Sequence, residues 1–367
     1  LVLARIVQGM AGAMMVPVGR VILLRIVPKE NLLRAMSFLS MPALLGPVIG
    51  PPIGGFMVTY MSWHWIFLIN IPFGILGIAM VMHYIQEIRE DDAPRLDGVG
   101  FLLSGVSLAT LVSAFESLGH GTMTWTQTGI LLAIGLATGW LYVLHARRAA
   151  HPIIDLSLLS MPTFAISVLG GNLCRFAVGA MPFLLAMLLQ VGFGLSPFQA
   201  GLITFASAAG SLLMKFVAAP IVRRFGFRRV LTTNALLTGG FVAICALFTS
   251  TTPSWLMILI LLMGGFFRSL QFTGVNTLTY ADVTQESMSR ASSFAAMAQQ
   301  LGISLGVGVA AVTLHASMVL RGGTALATPD ILVGFLVVGV LCMLSILSFL
   351  RLPALAGAQL NPGKMRG

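Results

Sequence analysis

Residues 331–350 read ILVGFLVVGVLCMLSILSFL, twenty consecutive residues without a charge. A helix rises ~1.5 Å per residue, so this run matches the ~30 Å hydrocarbon core of a bilayer. Within lipid a helix satisfies its own backbone donors and acceptors, which an open strand cannot do. The rest of the chain repeats the pattern. Of 367 residues, 57% are hydrophobic and 9% are charged, whereas soluble domains carry roughly a quarter charged. Apolar runs divided by Gly, Pro and charge give eleven spans, near 1–24, 37–59, 66–86, 98–117, 127–144, 163–190, 198–221, 230–249, 255–276, 292–314 and 331–350. The fold class is all-α and polytopic: a membrane protein.

The net charge of +10 would suit a nucleic-acid partner if the basic residues formed one patch. They punctuate the spans instead. Fifteen lie on alternate loops and the tail: Arg25, Lys29, Arg34, Arg89, Arg95, Arg147, Arg148, Arg223, Arg224, Arg228, Arg229, Arg290, Arg351, Lys364 and Arg366. The opposite loops hold Arg321 alone. By the positive-inside rule the first set is cytoplasmic, so the first span enters from outside and the C-terminal tail lies in the cytoplasm. No nucleic-acid partner is expected. Cys174, Cys245 and Cys342 sit far apart in apolar runs, so neither a disulfide framework nor a cysteine metal site is expected. The six His show no metal-ligand spacing. No nucleophile–base cluster and no Walker A string occurs either, so neither an enzyme nor an ATP-driven pump is expected.

Charges inside the spans are the candidate functional residues, because an intramembrane charge costs at least ~2.5–3.5 kcal/mol on insertion scales. Arg5 stands in the opening run LVLARIVQGMAGAMM, with Gln8 almost one turn away and small residues around it. An arginine kept only for helix packing is the plainer alternative. Arg20, Lys215 and Arg268 are expected to snorkel towards the cytoplasmic interface. Arg175 shares its span with Asn172 and with Pro182, a possible kink, and is a candidate for facing a central cavity. Glu116 and Asp282 lie near span ends, and no deep carboxylate is evident. With no starting Met and no signal peptide, the chain is expected to begin within a helix.

The string GPVIGPPIGGFM, 46–57, places Gly46, Gly50 and Gly54 every four residues, a bare ridge along one helix face. Pro51 and Pro52 remove backbone donors there. SWHWIFLINIP, 62–72, sets Trp63 and Trp65 at an interface and carries Asn70 into the bilayer before Pro72.

These motifs resemble the fourteen-helix drug:proton antiporters of the major facilitator superfamily. Arg5, Gln8, Gly9 and Ala13 are similar to its fourth-helix arginine motif, with Ala11 where Gly is usual. Gly46, Gly50, Pro51, Gly54 and Gly55 resemble its fifth-helix antiporter motif. SWHWIFLINIP, LDGVGFLL (96–103) and PFQAGL (197–202) resemble later signatures, and GAMMVPVGR (12–20) with VNTLTY (275–280) is most similar to the multidrug resistance protein D branch. In APIVRRFGFRR, 219–229, Arg224, Gly226 and Arg228 resemble the cytoplasmic gating-loop motif. Arg223 stands there where Asp is usual and Phe227 where a basic residue is usual. A plain basic loop that fixes topology is the alternative.

The resemblance implies a major facilitator fold with eleven of fourteen transmembrane helices present. Residues 1–90 would complete an N-terminal bundle, 91–150 form two linker helices, 151–352 a six-helix C-terminal bundle and 353–367 a cytoplasmic tail. The implied function is proton-coupled export of lipophilic or cationic small molecules, with Arg5 and Gln8 serving proton coupling and Asn70, Asn172 and Arg175 lining a cavity. No cofactor beyond the proton gradient is implied, and no metal. The implied setting is a monomer in a bacterial inner membrane, with a periplasmic adaptor and outer-membrane channel as conceivable partners. A metabolite exporter, a solute:proton symporter and a non-transporting membrane sensor are the alternatives.

Overall fold

A computed structural model gives the architecture. It describes residues 61–62, 64–85, 97–120, 122–150, 152–284 and 287–353, together with Met57, Ala356 and scattered positions between 7 and 39. Residues 1–39 and 97–367 form one compact unit, and 40–96 form a second.

In the second unit the described helices are a short one, Trp65–Leu68, followed by α1, Asn70–Tyr84. At 15 residues, α1 is ~22 Å long, shorter than the run 66–86 suggested. None of its side chains is buried within the unit.

The first unit is helical wherever regular structure is described. Eight helices are long and apolar enough to cross a membrane among the described residues. These are α2 (Gly98–His120), α3 (Trp125–Ala146), α4 (Pro162–Gly192), α5 (Pro197–Phe225), α6 (Phe227–Leu247), α7 (Ser254–Thr279), α8 (Met288–Leu320) and α9 (Thr328–Phe349). They coincide with the last eight apolar runs, but several extend past them. The chain is an all-α polytopic membrane protein.

The helix ends follow from local chemistry. Thr124 and Ser196 each accept from the backbone N–H three residues on, while Gln127 and Gln199 return the bond, two full capping boxes. Pro162 and Pro197 occupy first-turn positions, where a missing N–H costs nothing. Gly226, at φ +81°, separates α5 from α6 in a conformation that side-chain-bearing residues rarely adopt. Two π-helical turns, Ile166–Gly170 and Met187–Gly192, interrupt α4.

Packing proceeds by pairs: α5 with α7, α4 with α8, α6 with α9, and α2 with α3, which joins the rest through α2 against α8. Lipid offers no hydrophobic drive between helices, so close backbone approach has to supply much of the cohesion. Glycines permit it. A Cβ at Gly179 or Gly306 would strike the carbonyls of Ile303 and Phe176, across α4 and α8. One at Gly210 or Gly265 would strike Leu262 and Ser207, across α5 and α7. Outward-facing side chains such as Leu102, Leu136 and Phe216 are more than 60% exposed, as a lipid-facing surface requires.

Candidate functional site

Arg175 lies four residues into the α-helical stretch that follows the first π turn of α4, and only 3% of it is exposed. Its Nη1 donates to Asn172 Oδ1, one turn earlier, at 3.0 Å. Its Nη2 donates to Asn276 Oδ1 of α7, also at 3.0 Å. Planar guanidinium donors thus bridge two helices through two amide oxygens. The i, i+3 pair of Asn172 and Arg175 is visible in sequence spacing. Asn276 is not, since a partner on another helix leaves no local signal.

Beside this group runs a crevice of about 270 Å³ including its open mouth, lined by Gly171, Cys174, Arg175, Val178, Thr238, Arg268, Gln271, Phe272 and Val275. Its polar wall is tightly wired. Asn234 of α6 donates to Gln271 Oε1 at 2.8 Å and to the Phe267 carbonyl at 2.9 Å, and Gln271 donates on to the Leu231 carbonyl at 3.3 Å. Cys174 and Cys342 meet across α4 and α9 as free thiols, their sulfurs 3.6 Å apart. Distance along the chain concealed that neighbourhood.

Lys215 and Arg268 depart from the sequence expectation. Neither snorkels. Lys215 is 4% exposed and its Nζ donates to Thr273 Oγ1 of α7 at 2.5 Å. Arg268 Nη2 donates to Ser207 Oγ of α5 at 2.6 Å. The reason is helix length: α5 runs to Phe225 and α7 to Thr279, which leaves both cations ~15 Å from the helix ends. No lysine or arginine side chain reaches that far.

The other candidates fall elsewhere. Asn70 begins α1, is exposed, and its Nδ2 donates to the Phe67 carbonyl at 3.2 Å. Gln8 is exposed on a helical position. Arg5, Gly46, Gly50, Pro51, Gly54 and Gly55 lie outside the described residues. Arg224 is exposed with its guanidinium 5.6 Å from the Phe225 ring centroid, and Arg228 Nη2 donates to the Leu350 carbonyl at 2.9 Å, tying the α5–α6 turn to the end of α9. Phe227, placed where the loop motif carries a basic residue, is buried beneath that turn. Glu116 accepts from Ser304 at 3.5 Å and Asp282 from Thr163 at 2.7 Å.

The profile of the Major Facilitator Superfamily matches residues 1–181 and 168–365 of this chain, between them nearly its whole length. The chain belongs to the major facilitator superfamily. It is 42% identical over 318 residues to "Putative multidrug resistance protein MdtD" of Salmonella paratyphi B, covering 86% of this chain and 67% of that protein. The protein of the same name from Salmonella typhimurium is 41% identical over 322 residues, with the same coverage. Among solved structures, the Escherichia coli fucose:proton symporter FucP superposes with a TM-score of 0.39 at 16% identity, covering 92% of this chain and 87% of that one. As a superfamily member the chain is a multi-pass membrane transporter for small molecules and not an enzyme.

Proposed function

We propose that the protein exports small molecules across the bacterial inner membrane in exchange for protons, by alternating access; its similarity to proteins named putative multidrug resistance proteins supports the export of small molecules. The observation that carries this reading is the buried polar group of Arg175, Asn172 and Asn276 beside a crevice in the membrane-spanning bundle. An intramembrane arginine fixed by two amides marks a substrate or ion path more often than a packing device. In this reading residues 1–90 belong to the N-terminal bundle, 91–150 to the linker helices and 151–352 to the C-terminal bundle, with the tail in the cytoplasm.

The energetics suffice. One proton crossing 100 mV releases ~2.3 kcal/mol, and one pH unit adds ~1.4 kcal/mol. A hundredfold gradient of a neutral molecule requires ~2.8 kcal/mol, so a single proton is enough.

The test is accumulation of fluorescent drugs in everted vesicles holding the protein, with and without a protonophore. Export that ignores the collapse of the proton gradient would rule out coupling. Arg5→Ala should remove the pH dependence while leaving membrane insertion intact, and Arg5→Lys should restore it only in part because an ammonium lacks the planar fork. Gly54→Leu should lose export at equal protein level, while Phe56→Leu, which falls off the glycine ridge if the string 46–57 is read with helical periodicity, should stay close to wild type.

A further inference from the structure

We propose that Cys174 and Cys342 form an oxidation site, a dithiol that hydrogen peroxide converts to a disulfide tying α4 to α9. The chemistry stands on the geometry of the pair alone. Its consequence, a reversible brake on flux, rests on the transport reading.

The chain has three cysteines, and Cys245 of α6 shows how such a residue is ordinarily kept. It is buried, and its Sγ donates to the Phe241 carbonyl one turn earlier on the same helix. A cysteine of that kind serves as a small apolar side chain. Cys174 and Cys342 differ, because their sulfurs face each other from two helices at 3.6 Å. Ser345 of α9 joins the pair. Its hydroxyl donates to the Cys342 carbonyl at 2.6 Å, which leaves its oxygen to accept the Cys174 S–H at 3.0 Å. The Cys342 S–H is then directed at the Cys174 sulfur. Among the described residues no third His, Cys, Asp or Glu completes a metal site around them. A disulfide needs no further ligand and no added volume: the sulfurs close by ~1.5 Å to the ~2.05 Å of a bond.

Burial makes most thiols inert, so access decides the chemistry. Cys174 lines the crevice, whereas Cys342 lies behind it with no exposed surface. The enclosed part of that crevice has room for about one water-sized molecule. Hydrogen peroxide is the two-electron oxidant nearest that size, and a bulky disulfide such as oxidised glutathione is shut out. Cys174 is therefore the residue attacked first. Its sulfur bonds to one peroxide oxygen as the O–O bond breaks, and the thiol proton leaves with the other oxygen as water. The product is a sulfenic acid, which condenses with a neighbouring thiol. The Cys342 sulfur then displaces the sulfenic oxygen, which departs with the Cys342 proton as a second water. Two thiols are oxidised to one disulfide, and one peroxide is reduced to two waters.

The place of the pair in α4 gives the bond its effect. Cys174 belongs to the stretch Gly171–Ala186, which has a π turn on either side of it. Such turns are where a helix bends or shifts its register, so the stretch between them can be repositioned against its neighbours. A covalent tie to α9 removes that freedom. Arg175 is the next residue in the chain, so the same bond fixes the guanidinium that bridges to Asn276. Thiols reverse the tie by exchange.

Two measurements on the purified full chain test the assignment. After hydrogen peroxide, digestion without reductant should yield a Cys174–Cys342 linked peptide by mass spectrometry, and dithiothreitol should remove it. Oxidised glutathione should yield almost none. Cys342→Ala should accumulate a dimedone-reactive sulfenic acid at Cys174, whereas Cys174→Ala should leave Cys342 unreacted. In proteoliposomes, peroxide should abolish most of the proton-driven ethidium flux of wild type, and dithiothreitol should restore it. Cys342→Ala, which cannot form the bridge, should keep its own flux under peroxide. Folded wild type that forms no linked peptide, or links Cys245 instead, would overturn the oxidation site. Equal linkage by oxidised glutathione would overturn the route through the crevice. A linked peptide with unchanged flux would overturn the brake and leave the site standing. A linked peptide with no proton-driven flux in either redox state would sink the transport reading alone.

Discussion

At the scale of single residues, stability concentrates where a charge is both buried and fully bonded. Asp330, with no exposed surface, accepts from Arg321 at 2.8 and 3.3 Å, from Ser317 Oγ at 2.8 Å and from the Ala327 backbone N–H at 2.9 Å. It closes the loop between α8 and α9 and caps α9. Asp330→Ala strands all three partners at once, and should lower the melting temperature in detergent by about 4 °C or more. Asp330→Asn keeps the shape and should lose less. Asp97 is less completely bonded: its Oδ1 accepts from the Gly100 N–H at 2.8 Å, capping α2, and meets His145 of α3, also at 2.8 Å, while its buried Oδ2 has no hydrogen-bond partner. The Gly100 N–H first, and His145 next, hold its carboxyl below the usual carboxylate range. A depressed folded value means the stabilisation is complete above the unfolded pKa, ~3.9, and is lost as pH falls through the folded value. Wild type and Asp97→Asn should therefore melt at different temperatures above about pH 5 and converge well below pH 4. A gap that persists unchanged in acid would show that the carboxylate's charge is not what fastens the two helices.

At the scale of elements, the glycines at helix crossings decide the packing. Gly179→Val would press α4 off the Ile303 carbonyl of α8, and should destabilise the protein by about 2–3 kcal/mol in thermal or denaturant unfolding. Gly201→Val on α5, where a Cβ meets open space, is the control and should be near neutral. The helices themselves were legible, because apolar runs bounded by Pro, Gly and charge report length and existence directly. Their ends were less so. Polar and basic residues such as Arg223 and Arg224 continue α5 beyond its apolar run, and that extension is why Lys215 read as an interfacial residue and is an interior one. The π turns of α4 left no readable trace, since they arise from how the helix fits its neighbours. The same holds for the bridge from Arg175 to Asn276 and the meeting of Cys174 with Cys342: each joins helices whose adjacency one sequence does not record.

At the scale of the whole molecule, bonded contacts fasten both ends of α8. Near its start Arg290 pairs with Asp155 at 2.9 Å, and just past its end Arg321 pairs with Asp330 at 2.8 Å. Breaking the first with Arg290→Ala, a half-exposed pair worth about 1 kcal/mol or less, should leave the melting temperature within about 4 °C of wild type. A larger fall would mean that the pair organises the surrounding loops. Between those ends, α5 and α7 meet at Gly210 and Gly265, backbone against backbone. Two rods in such contact cannot approach further, and parting them would open a void along their length. Spin labels placed on the lipid-facing sides of α5 and α7 should accordingly report one narrow separation under every pH, voltage and ligand condition. That pair is an internal standard against which the displacement of any other helix can be calibrated.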